Sequence, residues 1–226
     1  MKTRTIAVIT LALFLCSCSV LMSQGDAYRR LIKKVSPALV QVMSIRLGPS
    51  GTPGATSLGS GFLVRGGYVV TNEHVIEGGH VVGVKLGEDE YYVGDMVSAH
   101  MTHDIAVIRL VDVPDDMPYV EFARRPAERG DPIWMIGRNR HFDMSFKTGV
   151  VSYGQRQWAG TGSLQTTMPV IPGESGSAVF NARGKVIGVA RGYYPNAPGV
   201  AVCVSLEVAR EVVKELIADI EARDEK

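Results

Sequence analysis

Apolar positions beyond residue 25 fall into short clusters, and their spacing changes at both ends of the chain. After Asp26, a candidate helix cap, Tyr28, Leu31, Ile32 and Val35 recur at helical spacing up to the Ser36-Pro37 stop. Leu39 to Ile45 is apolar and β-branched, so a strand is predicted there. The Gly, Pro, Ser and Thr residues of Gly48 to Ser57 then predict a loop, followed by strands Gly61 to Val64 and Tyr68 to Val70 about a Gly66-Gly67 turn. Further strands are predicted at Val81 to Lys85, Tyr91 to Val97, Ile105 to Leu110, Pro132 to Ile136, Phe146 to Tyr153, Leu164 to Thr167, Ala178 to Phe180, Lys185 to Ala190 and Val200 to Val204. No helical crossovers separate them, which favours an antiparallel barrel or sandwich over an α/β sheet. The polar, Pro-containing stretch Pro114 to Asp131 divides the strands into two sets and suggests two barrels. From Ser205, a candidate cap, Ala209, Val212, Val213, Leu216 and Ile220 follow a helical period while charged residues take the other side. That helix is expected to pack on the second barrel.

The first residues have a different character. Lys2 and Arg4 precede the apolar run Ile6 to Leu15, in the layout of a secretory signal peptide. The run is too short to span a bilayer comfortably as a permanent helix. Leu15-Cys16-Ser17-Cys18 resembles a lipobox, with Cys18 as the candidate lipid attachment site, although Cys16 stands where such motifs usually carry Ala, Ser or Thr. Lipidation, simple secretion and an uncleaved anchor stay open, and each takes the domain out of the cytosol, to the cell envelope or beyond.

Composition narrows the classes further. At 226 residues the chain can form one large domain or two small ones sharing a core, and 46% hydrophobic against 21% charged residues excludes a disordered tail. The net charge of +1 offers no basic excess for nucleic acid. Two of the three cysteines lie in the leader, so Cys203 has no core thiol to pair with, and its apolar neighbours make it a packing residue.

Three clusters carry candidate chemistry, in the order His, Asp, Ser: Thr71-Asn72-Glu73-His74-Val75, His103-Asp104-Ile105-Ala106-Val107 and Gly173-Glu174-Ser175-Gly176-Ser177. Hydroxyl attack on a carbonyl needs a base, an acid to orient that base, and N–H donors for the oxyanion. Each cluster supplies one part. The glycines around Glu174 and Ser175 let the amides of Gly173 and Ser175 converge as an oxyanion hole. The α/β-hydrolase elbow is excluded, because its serine precedes the other two residues and its motif places Gly where Ser177 stands. His100 and His103 could suggest a metal, but they lack an opposed ligand pair and would face opposite sides of a strand. No metal or cofactor is therefore expected, and no nucleotide motif occurs. Trp134, Trp158, Tyr193 and Tyr194 are read as packing or rim residues, and His80 and His141 as solvent-facing.

From about Tyr28 to Leu216 the chain resembles the protease domain of Deg/HtrA-type serine proteases, within the chymotrypsin-like family. The matching segments are Gly59-Ser60-Gly61-Phe62, Thr71 to Val75, Asp104 to Val107, Thr148-Gly149-Val150-Val151-Ser152, Gln165-Thr166-Thr167, Gly173-Glu174-Ser175-Gly176 and Gly184 to Val189. The resemblance implies an all-β fold of two antiparallel six-stranded barrels, over residues 26–120 with an N-terminal helix and 121–226 with a C-terminal one. It implies His74 as base and then acid, Asp104 as its orienting carboxylate, Ser175 as nucleophile, and the amides of Gly173 and Ser175 as oxyanion donors, acting on protein or peptide substrates. By the same carry-over Pro169, Val189, Ala190 and Arg191 shape the primary pocket. No acid sits at its floor, so small or aliphatic side chains are expected before the scissile bond.

Departures from the family pattern include Pro172, whose ring bears on loop gating, Glu174 before the serine, and Ser177-Ala178 after Gly176. Glu174 has no new amino terminus to pair with, so activation by chain cleavage is not expected. Neither is control through a PDZ module, because the chain closes with a helix. A protease-like binding or scaffold lipoprotein with misaligned catalytic parts is the competing expectation. Oligomeric state is left open.

Overall fold

A computed structural model describes residues 25–139, 144–158, 161–193 and 199–225. It divides into two compact units, Met1–Val35 and Ser36–Lys226. In the first, helix α1 runs over residues 25–35, so Asp26 lies inside it instead of capping it. Asp26 pairs with Arg29 one turn on, at 3.5 Å.

The second unit opens with a 3-10 turn at Ser36–Ala38 and continues as twelve antiparallel strands. The first six are β1 (Leu39–Leu47), β2 (Pro53–Val64), β3 (Tyr68–Thr71), β4 (Val81–Leu86), β5 (Glu90–His100) and β6 (Ile105–Leu110). They close into a barrel in the order β1-β2-β3-β6-β5-β4. Strands β7 (Pro132–Gly137), β8 (Ser145–Trp158), β9 (Thr161–Thr166), β10 (Ala178–Asn181), β11 (Val186–Tyr193) and β12 (Ala201–Ser205) close a second barrel in the order β10-β11-β12-β9-β8-β7. The expected pair of six-stranded antiparallel barrels is what forms. One predicted loop differs: residues 53–57 belong to β2 and pair with the far end of β1, where a bulge after Ser44 absorbs the irregular composition.

Alternation accounts for the barrel interiors. Along β1, Val40, Val42 and Ser44 turn inward and are fully buried while Gln41 and Met43 are partly exposed. The second barrel is filled by Ile133, Met135, Val151, Leu164, Met168, Val179, Ile187 and Cys203. Trp134 stacks on Phe180 with ring centres 4.6 Å apart and donates Nε1–H to the Asn181 carbonyl at 2.8 Å, which makes it a packing residue as expected.

Strand β12 reads as an apolar run up to Ser205, and β6 as one broken by Arg109 alone, because both of their faces are largely covered. The outer cover is the C-terminal helix α3 (Leu206–Asp224), which starts at Ser205 and buries Ala209, Val212, Val213, Leu216 and Ile220. Instead of packing on the second barrel alone, α3 rests on β5 and β6 of the first barrel as well as on β11 and β12 of the second. Polar ties reinforce the first contact: Ser98 Oγ donates to Asp219 at 2.6 Å, and Arg109 pairs with Asp224 at 2.6 Å. On another side the inter-barrel segment is stitched to both, with Val120 N–H on the Leu63 carbonyl (2.9 Å) and Ala123 N–H on that of Val186 (2.8 Å). Phe122 meets Phe62 edge-on.

Two outcomes follow from this packing. Ile220→Ala should cost about 2–5 kcal/mol in urea unfolding, because a fully buried side chain leaves a cavity between α3 and the strands. The exposed neighbour Lys214→Ala should stay within about 0.5 kcal/mol. Burial pushes the Cys203 thiol from 9.0 up to about 12. The unfolded thiol therefore ionises where the folded one does not, and the folded chain should lose stability as the pH climbs from about 9 toward 12. In Cys203→Ala that part of the alkaline slope should vanish, as paired urea titrations at pH about 8 and about 10.5 would read.

Candidate functional site

Strand pairing builds the first half of the site. Thr71 of β3 lies opposite Ala106 of β6, so His74, three residues past Thr71, and Asp104, two before Ala106, emerge at the same end of the barrel. His74 rides on α2 (Glu73–Ile76), a single turn that follows β3. Asn72 occupies its N-cap position but sends Nδ2–H to the Asp104 carbonyl at 2.8 Å, which fixes the aspartate backbone instead of the helix end. Asp104 itself sits in the left-handed region at φ +54°, a conformation that Asp tolerates better than most residues.

That backbone aims the carboxylate at the imidazole. His74 Nδ1 lies 2.9 Å from both Asp104 oxygens, and His74 N–H donates to Oδ1 at 3.1 Å. A carboxylate can only accept, so Nδ1 carries the proton and Nε2 is left as the basic nitrogen. Asp104 is nearly buried, whereas the His74 side chain is 43% exposed and open to a reactant. From the second barrel, Arg191 Nε reaches Asp104 Oδ2 at 3.0 Å, so one carboxylate serves an imidazole and a guanidinium. Burial also pushes the neighbouring Glu73 carboxyl up, helped by the charges of Glu77 and Asp104.

The loop before β10 builds the second half. Gly173 and Gly176 take φ +92° and +88° on either side of Glu174 and Ser175. Glu174 N–H donates to Ile171 O and Ser177 N–H to Glu174 O, each at 3.0 Å, which coils the loop tightly. Gly176 is required where it stands, because a Cβ there would lie 2.1 Å from Ser60 O and 2.4 Å from Thr71 Oγ1. The loop is thus pressed against the first barrel. Ser60 N–H donates to Ser175 O at 2.8 Å, and the Ser60 hydroxyl lies 2.9 Å from the carbonyls of both Gly173 and Arg138 while accepting from Arg138 N–H at 3.0 Å. Ser175 Oγ donates to the Arg191 carbonyl at 3.3 Å.

Glu174 has a partner that the sequence did not disclose. Its carboxylate is fully buried and pairs with Lys147 Nζ of β8 at 2.6 Å. Ile171 N–H donates to the same oxygen at 2.9 Å, and Asn139 Nδ2 lies 3.5 Å from the other. Gly137 leaves room for it, since a Cβ there would meet Glu174 Cγ at 2.5 Å. Lys147 is 27 positions earlier in the chain and enters only through barrel closure, so no local motif could reveal it. Ser60, Asn72 and the guanidinium of Arg191 are further contributors that motif reading had not assigned to these contacts.

The four residues expected to shape a pocket do not share one surface. Val189 and Ala190 turn their side chains into the core and are fully buried, Pro169 is exposed with its carbonyl accepting from Lys147 Nζ at 3.1 Å, and Arg191 turns to Asp104. His100 and His103 were expected on opposite sides of a strand, but the turn Met101 to Asp104 brings their rings to 4.4 Å. Burial pushes the His103 imidazole down, and His100 adds to this. Among the described residues no group of three or more His, Cys, Asp or Glu is arranged to hold a metal, and no helix is long and apolar enough to cross a membrane. His80 Nδ1 accepts from Leu47 N–H at 3.1 Å, and Tyr193 is 55% exposed. The leader with Cys16 and Cys18, His141 and Tyr194 lie outside the described residues.

Comparison with known proteins agrees with this architecture. A probable periplasmic serine endoprotease DegP-like from Marinomonas sp. is 33% identical over 172 residues, covering 73% of this chain and 36% of that protein. The putative serine protease HhoB of Synechocystis is 27% identical over 218 residues, 83% of this chain and 52% of its own. The chain therefore spans about a third to a half of the length of these relatives. In fold, it matches the serine endoprotease from Yersinia pestis with a TM-score of 0.74 at 24% identity, over 85% of this chain and 67% of that one. It matches the active form of the Rv3671c protease from M. tuberculosis with a TM-score of 0.70 at 20% identity, over 82% and 83%. The profile of the trypsin-like peptidase domain matches residues 59–189, which holds both barrels' site segments, and the chain belongs to that family.

Proposed function

We propose that the chain is an exported serine endopeptidase that hydrolyses peptide bonds in exposed or unfolded proteins, held at the periplasmic side of the cell envelope by a lipid on Cys18. The observation that carries the reading is the double contact of Arg191: its carbonyl accepts from Ser175 Oγ while its guanidinium touches Asp104, so hydroxyl, carboxylate and the imidazole on that carboxylate belong to one cluster. The relatives named as periplasmic serine endoproteases support the compartment and the reaction class.

In this reading Ser175 Oγ leaves the Arg191 carbonyl and attacks the scissile carbon, passing its proton to His74 Nε2. Asp104 holds the imidazolium that forms. The amides of Gly173 and Ser175 receive the oxyanion, where each donor is worth roughly 2.7–4 kcal/mol of transition-state stabilisation. Expulsion of the amine, protonated by His74, leaves an acyl ester on Ser175 Oγ, which water then hydrolyses with His74 again as base. The segments at Pro169 and at Val189 to Arg191 contain no acid, and in this reading it is their main chain that borders the substrate side chain, which favours small or aliphatic residues before the cleaved bond. The competing reading is a silent binding lipoprotein, in which Ser175 Oγ stays on the Arg191 carbonyl and Arg191 keeps its hold on Asp104.

A fluorophosphonate probe separates the two. It should label Ser175 in the native chain and leave Ser175→Ala unlabelled, with casein cleavage present and absent in parallel; no labelling and no cleavage of casein by the native chain would leave the binding reading. Asp104→Asn should lower kcat by about 10⁴-fold, because an amide cannot hold His74 in the working tautomer.

A further inference from the structure

The Lys147–Glu174 pair has no part in the reaction just described, yet it lies between the two residues whose amides are assigned to the oxyanion. Glu174 is fully buried, flanked by Gly173 and Ser175, and its carboxylate takes Lys147 Nζ at 2.6 Å and Ile171 N–H at 2.9 Å. The same Nζ donates to Pro169 O at 3.1 Å. Lys147 therefore grips both ends of the segment 169–174 from a strand that cannot move without opening the barrel: on β8 it lies opposite Met135 of β7, and Met135 is itself opposite Val179 of β10. A buried carboxylate stripped of its cation is strongly disfavoured and would turn the loop outward to reach water.

We infer that Lys147 is a positioning residue that holds the Gly173–Ser175 loop in its oxyanion-binding form through Glu174, a built-in cation that makes this form the resting state of the uncleaved chain. The inference rests on the serine-peptidase reading. It explains the glycine at 137, whose missing Cβ leaves the space that the Glu174 side chain fills. It also gives Glu174 a function distinct from that of the residues on either side of it.

The full chain tests this with a peptide substrate and circular dichroism to confirm folding. Lys147→Met should lower kcat about 100-fold, comparable to loss of an oxyanion donor, with KM changed less than about threefold, because the loop contributes to the transition state and not to ground-state binding. The double variant Lys147→Met/Glu174→Gln removes the unpaired charge and leaves an oxygen for Ile171 N–H, so it should recover about tenfold of that loss. A kcat within about threefold of the native chain in either folded variant overturns the inference, and so does a double variant no faster than the single one. Should Lys147→Met fail to fold, the double variant decides alone: about tenfold below native sustains the inference, native kcat overturns it. Failure of the native chain itself to react at Ser175 would instead count against the peptidase reading, so the two failures are told apart.

Discussion

The joint between the two barrels rests on backbone atoms approaching closer than any side chain would permit. Gly176 lies against the Ser60 carbonyl and the Thr71 hydroxyl, Ser60 N–H bonds Ser175 O, and Thr71 Oγ1 donates to Ser60 O at 2.7 Å. On the far side, Gly176 N–H bonds Ala190 O and Ala190 N–H bonds Ser177 O, at 2.8 and 2.9 Å. The loop that carries Ser175 is therefore clamped between β2 of one barrel and β11 of the other, largely through main-chain atoms. Any chemistry that needs Ser175 in register with His74 inherits its precision from this joint, since hydrogen bonds between main-chain atoms leave few alternative geometries.

Charge is distributed on the same plan. Each half of the site holds a carboxylate with little exposure, and each carboxylate is met by a cation from elsewhere in the fold: Asp104 by Arg191, Glu174 by Lys147. A lone charge at such depth would be penalised heavily by desolvation, and in each case a cation stands within ion-pair distance. The consequences differ. Lys147 confines a loop, whereas Arg191 holds Oδ2 of the carboxylate that also lies against His74 Nδ1, so in the proposed reaction the imidazolium would share that carboxylate with a guanidinium already in place. Besides the imidazole ring the carboxylate is met by two donors, His74 N–H and Arg191, while Asn72 holds the Asp104 backbone carbonyl.

The sequence disclosed what depends on short-range pattern and on motif. Alternation and the Gly66-Gly67 turn marked the strands, their close spacing without helical crossovers marked the antiparallel barrels, and the His and Asp clusters marked two side chains that the structure pairs. What escaped is whatever closure alone creates. Lys147 looks like an ordinary charged residue in an alternating strand until β8 joins β7; residues 53–57 look like a loop until they pair with the end of β1. His100 and His103 illustrate the opposite error, in which a rule for continuous strands was applied across a turn. Val189 and Ala190 were assigned to a pocket by analogy of position, but alternation and the cover of α3 and β12 leave their side chains in the core.

The C-terminal helix then has a larger role than capping a barrel. It backs β5 and β6, whose connecting turn carries His103 and Asp104, and also β11, which carries Arg191. Burial and the neighbouring His100 push the His103 imidazole down, and Glu215 and Glu211 of α3 oppose this. The joint at Gly176 holds the loop that carries Ser175, and α3, on another seam of the fold, backs the strands next to Asp104 and Arg191; in the proposed reading the site is the place where these two constraints have to agree.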